Sequence, residues 1–189
     1  MSPRFVPLAE PLPGVRLLRR RAVEDERGRF ERLFCREEFA ALGIAADCVQ
    51  VNLSTTRRRG TFRGLHYQLP PSAETKIVQC LAGAIHDVVL DLRPGTFGRT
   101  ATFRLAGGDG RVLVVPKGCA HGFLTLADDT VVLYCVDAPW DPARERGIRH
   151  DDPAFRIPLP FPPEIVSRRD RAHPDFDPRR HPEMLPCAS

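Results

Sequence analysis

Short runs in which hydrophobic and polar residues alternate fill the middle of the chain and predict β-strands. The runs are rich in Val, Leu and Thr, and turn residues such as Pro94 and Gly95 separate one run from the next. The predicted strands span residues 48–55, 76–81, 85–92, 100–105, 111–115, 122–126 and 130–136. Turns at this regular interval are typical of a β-sandwich or barrel, so the pattern predicts a mainly β domain.

Both ends of the chain lack this regular pattern. One helix is predicted over residues 36–42, and it ends at Gly43. The segment before it contains four prolines, at Pro3, Pro7, Pro11 and Pro13. A second proline-rich segment follows Pro153. Proline favours extended and loop conformations, so short helical or loop segments are expected at the N-terminal and C-terminal ends.

One predicted strand, at residues 48–55, has two chemically different faces. Its polar positions are Gln50, Asn52 and Ser54, and they alternate with Val49, Val51 and Leu53. Because successive strand side chains point to opposite sides of the sheet, the three polar groups share one face. That face would contact water in an ordinary sandwich, whereas in a small barrel it would line a ligand cavity. The sequence fits both interpretations.

The length of 189 residues is enough for one well-cored domain, and no internal repeat or change in composition divides the chain. We therefore expect a single domain over residues 1–189, with residues 175–189 disordered or wrapped around a partner. The six cysteines follow no CxxC spacing, and several fall in apolar runs, so reduced structural thiols are expected. They are Cys35, Cys48, Cys80, Cys119, Cys135 and Cys187.

Composition and charge exclude several classes of protein. Apolar residues make up 42% of the chain, but no apolar run approaches the length of a membrane span and the N-terminus does not resemble a secretory signal. The net charge is only +4, because 26 arginines, largely dispersed, are interspersed with 24 acidic residues. This distribution gives no basic stripe for nucleic acid. We expect a soluble, cytoplasmic protein that binds neither nucleic acid nor a membrane.

Four residues in the second half of the chain have the spacing of a known motif. Gly110 is followed after five residues by Pro116, and then by Gly118 and His121. This spacing resembles the second signature of the cupin superfamily, whose jelly-roll barrel carries small-molecule chemistry. The resemblance implies a mainly β fold, a cupin-type jelly-roll β-barrel.

The first cupin signature is present only in part. Gly60 is followed after five residues by His66, but Gln68 occupies the position of the next expected histidine, and an acidic residue follows at Glu74. The metal-ligand set is therefore incomplete, which favours a site without a metal. Two neutral imidazoles and one carboxylate remain a donor set for iron, zinc or manganese, so a metal-dependent cupin enzyme stays an alternative.

Longer runs make the resemblance more specific. They are residues 61–68 (Thr-Phe-Arg-Gly-Leu-His-Tyr-Gln), 76–78 (Lys-Ile-Val), 87–93 (Asp-Val-Val-Leu-Asp-Leu-Arg) and 120–123 (Ala-His-Gly-Phe). Further matches extend from residues 25–28 (Asp-Glu-Arg-Gly) through Tyr134 and Glu145 to residues 167–170 (Ser-Arg-Arg-Asp). With these motifs in order over most of its length, the chain resembles the dTDP-4-dehydrorhamnose 3,5-epimerase family, where dTDP is deoxythymidine diphosphate.

The resemblance implies a homodimer that works without metal or cofactor on a nucleotide-diphosphate sugar. Its reaction would invert the carbons beside the C4 ketone of a 4-keto-6-deoxyhexose, as in the conversion of dTDP-4-keto-6-deoxyglucose to dTDP-4-keto-L-rhamnose. Such an inversion needs a base held against the C–H bond and a donor or cation for the developing enolate oxygen. It also needs an acid on the opposite face of the sugar ring.

The family motifs match these catalytic roles to four residues. His66 matches the base, since imidazole titrates near neutral pH, and Asp170 matches the carboxylate that orients the ring. Tyr134 matches the acid. Lys76, one of only two lysines in the chain, matches the cation that faces the enolate oxygen or the neighbouring phosphate, and Arg63 is a second candidate for that position.

The resemblance also implies seven residues around the substrate. They are Arg27, Gln50, Asn52, Arg63, His121, Glu145 and Arg169. Arginine suits a diphosphate because its planar guanidinium can pair with two oxygens at once. The remaining histidines match no functional position, and they are His86, His150, His173 and His181.

Three features depart from the family pattern. The family's usual glutamate four places after a motif glycine is Arg32 here, and Glu31 lies one place early, on the other face of the strand. Pro139 and Trp140 replace two successive aromatic residues, and Arg169 stands where lysine is common. These changes affect recognition, so the sequence leaves open the sugar and whether C3, C5 or both are inverted. A single-carbon epimerase and a non-catalytic sugar-nucleotide binder therefore remain alternatives.

Overall fold

The computed structural model describes residues 3–180. Within this range it contains fourteen β-strands, two short α-helices and one 3-10 helix. The strands are β1 (Phe5–Leu12), β2 (Val15–Arg20), β3 (Val23–Asp25), β4 (Gly28–Phe30), β5 (Gln50–Thr56), β6 (Thr61–Gln68), β7 (Lys76–Ala82), β8 (Ala84–Asp91), β9 (Thr100–Ala106), β10 (Arg111–Val115), β11 (Cys119–Thr125), β12 (Thr130–Val136), β13 (Glu145–Gly147) and β14 (Ile165–Val166). The helices are α1 (Arg36–Ala41) and α2 (Arg168–Arg171), and the 3-10 helix is Pro178–Arg180.

Two sheets, antiparallel apart from one short strand, form the body of the protein. The first has the strand order β1-β2-β10-β7-β12-β5, and the second has the order β13-β6-β11-β8-β9, with β14 added parallel to β6. Strands β3 and β4 form a separate hairpin. The prediction of a mainly β, cupin-type jelly roll is confirmed, although the two sheets stay open rather than closing into one barrel.

Hydrophobic clusters hold the layers together. Between the sheets, Val78 and Leu113 of the first sheet share one buried cluster with Val89 and Leu105 of the second. On the outer side of the first sheet, Phe39 of α1 belongs to a second cluster. Segments near the C-terminus pack in a third cluster against the second sheet. Because the central strand β10 is covered on both faces, its residues 112–115 are continuously apolar rather than alternating.

The predicted strands in the middle of the chain lie within a few residues of their predicted bounds. The strands at 111–115 and 130–136 are confirmed without change as β10 and β12, whereas the strand predicted at 122–126 begins earlier, at Cys119. The predicted helix is also confirmed as α1. Gly43 follows it with a φ of +72°, the left-handed conformation that favours glycine after a helix.

The N-terminal segment corrects the sequence prediction. It forms strands β1 and β2, although its prolines indicated a loop or helical segment. Pro7 and Pro11 lie in β1, which is the edge strand of the first sheet, and an edge strand tolerates a missing backbone N–H. Residues 61–68, which were interpreted only as a family motif, form β6 in the second sheet.

Residues 175–180 of the predicted tail follow the surface of the chain itself. The Phe176 ring lies 5.0 Å from that of Phe155 and 5.7 Å from that of Phe97, measured between centroids. The rest of the tail, with Cys187 and His181, lies outside the described residues. The other five cysteines are free thiols. No helix between residues 3 and 180 is long and apolar enough to cross a lipid bilayer.

Candidate active site

Two adjoining cavities lie among β5, β7 and β12 of the first sheet and β6 and β11 of the second. Their volumes are about 680 and 520 Å³, and they share four lining residues. The shared residues are His66, Lys76, Tyr134 and Arg169. The structure brings every predicted site residue to the lining of one or both cavities, with the exception of Arg27.

The polar face of β5 lines the smaller cavity. Gln50 and Asn52 are half-buried there, and Gln50 Nε2 donates a hydrogen bond of 2.8 Å to Asn52 Oδ1. On the opposite face, the apolar residues of the strand, and Val49 just before it, are solvent-exposed. Their exposed fractions are 56% for Val49, 56% for Val51 and 62% for Leu53. The alternating pattern allowed the polar face either to contact water or to line a cavity. In the structure, it lines a cavity.

A histidine and a carboxylate form a hydrogen-bonded pair at the larger cavity. His66 lies on β6, and its Nε2 is 2.8 Å from Asp170 Oδ1. Ser167 caps the short helix α2, because its hydroxyl accepts a hydrogen bond from Asp170 N, and this cap positions the carboxylate. Burial opposes ionisation of Asp170, but the hydrogen bond and charge of His66 outweigh it and hold the pKa of Asp170 below its usual value.

This pairing decides which nitrogen of His66 can act as a base. A carboxylate only accepts hydrogen bonds, so Nε2 of His66 carries the proton that it shares with Asp170. The lone pair of the neutral ring is then on Nδ1. The geometry therefore makes Nδ1 the proton-accepting atom of His66.

Two glycines allow β6 and β11 to approach each other closely beside the histidines. A β-carbon on Gly64, which has a φ of +124°, would lie 2.5 Å from the α-carbon of Gly122. In the pairing of these strands, His66 and His121 are direct partners. The glycines of both motifs therefore serve to bring two histidines side by side at the cavity wall.

His121 has a carboxylate partner of its own that the sequence analysis did not identify. Its Nε2 lies 3.0 Å from both oxygens of Asp87, a fully buried residue on β8. Asp87 belongs to the matched run at residues 87–93, but only the long-range pairing of β8 with β11 reveals its contact. A buried carboxylate thus orients the His121 ring, as Asp170 orients that of His66.

Lys76 forms a nearly buried ion pair at the boundary of the two cavities. Its Nζ lies 3.1 Å from Glu74 Oε1 and donates a hydrogen bond of 3.2 Å to the carbonyl oxygen of His66. Glu74 also accepts a hydrogen bond of 2.5 Å from Gln68 Nε2. The ammonium is therefore fixed next to His66 by contacts on two sides.

These pairings also bear on the metal alternative. His66, His121 and Glu74 were the potential ligands, but His121 bonds to the buried Asp87 and Glu74 pairs with Lys76. Between residues 3 and 180, the group whose donor atoms approach one another is instead His66, Asp170 and His173. The cupin metal set is therefore not assembled by this fold.

Tyr134 lines both cavities from β12, in the first sheet. Burial, together with the nearby charge of Glu74, raises the pKa of Tyr134, and the charge of Arg63 only partly opposes this effect. The phenol is therefore protonated at neutral pH. It can donate a proton from the sheet opposite to that of His66.

Several polar groups surround these central residues. Glu145 Oε2 accepts hydrogen bonds from Trp140 Nε1, at 2.7 Å, and from Arg169 Nη2. Burial opposes ionisation of Glu145, but these two donors outweigh it and lower its pKa. Arg63 donates from Nε to Thr56 Oγ1 at 3.0 Å and lines the larger cavity. The site therefore carries two guanidinium groups suited to phosphate oxygens.

Arg27 lies apart from this constellation. It is on the β3–β4 hairpin, highly exposed, and pairs with Asp25 at 2.5 Å. The departure from the family pattern at residues 31 and 32 lies close by in the sequence. Glu31 forms an ion pair of 3.1 Å with the buried Arg20. Arg32 in turn pairs with Glu38. Within one chain, this segment therefore contributes nothing to the cavities.

His173 is a neighbour of the His66–Asp170 pair that no sequence signal identified. Its ring lies 6.4 Å from that of His66, measured between centroids, in an edge-on arrangement. Burial and the neighbouring His66 lower the pKa of His173, although Asp170 opposes the shift. The contact depends on the path of the chain after α2, which no local motif specifies.

The site assembles the groups that are needed to take a proton from carbon and return another one to it. An imidazole held by a carboxylate, a protonated phenol and a fixed ammonium surround one cavity. Together, the fold and the site define an acid–base enzyme of the cupin-type jelly-roll class. The model of one family within that class, dTDP-4-dehydrorhamnose 3,5-epimerase, matches residues 9–178. The chain belongs to this family, as its motifs predicted.

Individual relatives agree with this assignment. The chain is 42% identical over 166 residues to a dTDP-4-dehydrorhamnose 3,5-epimerase from Sinorhizobium fredii, covering 86% of this chain and 85% of the relative. A Bacillus anthracis enzyme of the same name, with TDP and PPi bound, is 36% identical with a TM-score of 0.87, covering 91% and 99% of the two chains. A Legionella pneumophila dTDP-6-deoxy-D-glucose-3,5-epimerase in complex with dTDP-4-keto-L-rhamnose is 31% identical with a TM-score of 0.85, covering 93% and 96%.

Proposed function

We propose that this single-domain chain inverts C3 and C5 beside the C4 ketone of a dTDP-linked 4-keto-6-deoxyhexose. The observation that carries the proposal is that His66 and Tyr134 line one cavity from different sheets, with Lys76 beside them. The names of the relatives from Sinorhizobium fredii and Legionella pneumophila support the same reaction and substrate class. The reaction is an isomerisation in which only protons and bonding electrons move.

The first step is the removal of a proton from the carbon beside the ketone. Nδ1 of His66 accepts the proton, and the electrons of the C–H bond move into the C4 carbonyl to form an enolate. Asp170 stabilises the imidazolium that results, because its carboxylate is already bonded to Nε2. The Lys76 ammonium offsets the charge on the enolate oxygen, a contribution of about 3 to 4 kcal/mol for one well-placed donor.

The second step is the return of a proton to the opposite face. Tyr134 donates its phenolic proton to the carbon, the enolate electrons re-form the C4 carbonyl, and the configuration of that carbon is inverted. Water then removes the proton from the His66 imidazolium and supplies one to the Tyr134 phenolate, which restores the starting site. The same cycle at the other carbon beside the ketone completes the reaction.

The remaining cavity residues serve to hold the nucleotide sugar. Arg63 and Arg169 suit the diphosphate, since guanidinium groups pair with phosphate oxygens. The polar face of β5 and the oriented ring of His121 are positioned for sugar hydroxyl groups and the nucleoside. Glu145 completes the cavity wall and orients Arg169 through their hydrogen bond.

A homodimer is part of the same proposal. Strand β5 is the edge of the first sheet, and Val51 and Leu53 of this strand form an exposed apolar stripe with Val49, which directly precedes it. Exposed apolar patches of this kind mark interaction surfaces. A second copy of the chain that covers the stripe can also supply Arg27, whose guanidinium lies outside the cavities of its own chain.

The test is incubation of the purified protein with dTDP-4-keto-6-deoxyglucose in heavy water. Each inverted carbon acquires deuterium from solvent, so NMR of the sugar counts the sites of exchange and identifies the product. We expect deuterium at both C3 and C5, formation of dTDP-4-keto-L-rhamnose, and full activity in the presence of EDTA.

Other outcomes of this experiment contradict specific parts of the proposal. Exchange at C3 alone or C5 alone would identify a single-carbon epimerase. Binding of the nucleotide sugar without any exchange would identify a non-catalytic binder. Loss of activity in EDTA, with recovery on addition of Fe²⁺, would identify a metal-dependent cupin enzyme.

A further inference from the structure

The side chain of His173 has an unused nitrogen beside the catalytic pair. His173 follows the end of α2, and its backbone carbonyl is held by a hydrogen bond of 3.1 Å from Arg149 Nη1. Nε2 of its half-buried ring has no hydrogen-bond partner among residues 3–180. Buried polar atoms are almost always paired, so an unpartnered imidazole nitrogen points to a missing ligand.

Gly147 provides the space that this ring occupies. A β-carbon at position 147 would lie 2.0 Å from His173 Nε2 and 2.3 Å from Cδ2, so no other residue type fits there without displacing the ring. Gly147 is also the direct pairing partner of His66 between β13 and β6. The His173 ring is therefore seated against the pair of strands that carries the base.

Three potential metal-binding side chains meet at this point. One donor atom from each of His66, Asp170 and His173 lies within 4.8 Å of the other two. Two imidazoles and a carboxylate are a donor set that Zn²⁺ and related ions prefer. Donor atoms held at roughly 2.1 Å around a tetrahedral Zn²⁺ lie about 3.4 Å apart, so side-chain movements of about 1 Å close the site. The larger cavity, which His66 and Asp170 line, gives an ion access.

We propose that His66, Asp170 and His173 bind a Zn²⁺-type divalent cation and that the bound ion inhibits the enzyme. The inhibition follows from the tautomer of His66, and this part rests on the proposed function. The donor atom of His66 nearest to Asp170 is Nε2. When Nε2 binds a metal ion, the single proton of the neutral ring moves to Nδ1, which must be unprotonated to accept the substrate's proton. The ion therefore removes the base.

The experiment is a titration of the full chain with ZnCl₂, followed by calorimetry and by the epimerase assay. The test variant is His173→Ala, which removes only the third ligand. The matched control is His86→Ala, because His86 is a half-buried histidine on β8 that bonds to the Pro158 carbonyl oxygen outside the site. Substitution of Co²⁺ for Zn²⁺ adds a visible absorption spectrum as a readout that does not depend on activity.

The expected result is one tight Zn²⁺ site in the wild type and in His86→Ala, with binding at least tenfold weaker in His173→Ala. Without zinc, His173→Ala should have nearly wild-type activity. With zinc, it should need at least tenfold more ion for half inhibition, and EDTA should restore the wild type. The Co²⁺ spectrum of the wild type should be lost in His173→Ala.

Two results would overturn the proposal in distinguishable ways. Equal zinc binding and inhibition in the wild type and His173→Ala, or no binding at all, would show that the three residues do not form a site. Binding that depends on His173 but leaves epimerisation unaffected would retain the site and contradict the inhibition, and with it the role of His66 as the base.

Discussion

His66 on β6 and Tyr134 on β12 line one cavity from two different sheets of the jelly roll. Their environments suit His66 to accept a proton and Tyr134 to donate one. The Asp170 carboxylate leaves His66 with a free lone pair on Nδ1, whereas burial raises the pKa of Tyr134 and keeps its proton in place. The packing of the two sheets fixes the gap between the proposed base and the proposed acid, and the sugar ring is proposed to fit into this gap.

Replacement of the base's partner tests the role of the carboxylate. We expect Asp170→Asn to lower kcat by roughly 10²- to 10⁴-fold with little change in KM, because the amide cannot stabilise an imidazolium. The matched control is Asp151→Asn, at an exposed carboxylate that pairs with Arg149. Steady-state kinetics checks both variants. A kcat of Asp170→Asn equal to that of the wild type would contradict the proposed role of the carboxylate.

The same carboxylate should affect stability in a pH-dependent way. Because the pKa of Asp170 is lower in the folded state, its ionised form stabilises the fold at neutral pH. This contribution is present above the ordinary aspartate pKa and is lost as the pH falls through the lower, folded-state value. Urea unfolding should therefore show a difference between wild type and Asp170→Asn at pH 7 that shrinks below about pH 4. A difference that grows toward low pH would contradict this sign.

The ammonium of Lys76 should be as important as the general acid. We expect Lys76→Met to reduce kcat by roughly 10²- to 10³-fold, corresponding to about 3 to 4 kcal/mol of lost transition-state stabilisation. Since this change leaves Glu74 unpaired, the double variant Lys76→Met with Glu74→Gln separates that effect from catalysis. Lys117→Met removes the other lysine, which is exposed and pairs with Asp137 outside the cavities, and it should leave kcat unchanged. Recovery of activity in the double variant would contradict the catalytic role.

Ultraviolet titration tests the protonation state of the acid. The chain has only two tyrosines, and burial raises the pKa of both Tyr134 and Tyr67. Tyrosinate absorbance at 295 nm should therefore be absent in the folded protein up to about pH 10, whereas the urea-unfolded chain should titrate near that value. A tyrosine that ionises below pH 10 in the wild type and is missing in Tyr134→Phe would contradict the account.

Introducing a charge into the apolar stripe on β5 tests whether this stripe forms the proposed dimer interface. We expect Val51→Asp to convert the dimer to a monomer in sedimentation experiments, because a carboxylate would be buried at the proposed interface. The sugar-nucleotide KM should rise at the same time if Arg27 is supplied by the second copy. Thr102→Asp, on an exposed position of β9, is the control and should remain dimeric. A monomeric wild type would contradict the proposed dimer.

Local sequence patterns predicted most of the β-rich middle, and ten of the eleven site residues that the family resemblance implied line the cavities. His66 and His121 were found because each motif places a glycine and a histidine at a fixed spacing, from the turn before the strand into β6 or β11. The alternation in β5 identified a polar face but not its surroundings, since packing against the other sheet decides whether such a face meets water. Strand β1 was missed because its prolines, which disfavour central strands, are tolerated at the edge of a sheet.

The remaining features of the site could not be predicted, because they depend on contacts between segments that are far apart in the sequence. The partnership of Asp87 with His121 depends on the register of β8 and β11, and the position of His173 depends on the space that Gly147 leaves. Neither relationship has a local signature. For Arg27 the situation is reversed. Its motif predicts a substrate contact, but the residue does not reach the cavities of its own chain.

The measurement that most directly tests the opposed base and acid compares deuterium exchange with inversion in two variants. Tyr134→Phe in heavy water should incorporate deuterium at a carbon beside the ketone, since His66 still removes and returns protons on its own face, but it should not invert that carbon. His66→Asn should do neither, and His86→Asn should behave as wild type. Wild-type inversion by Tyr134→Phe, or undiminished exchange by His66→Asn, would contradict the account.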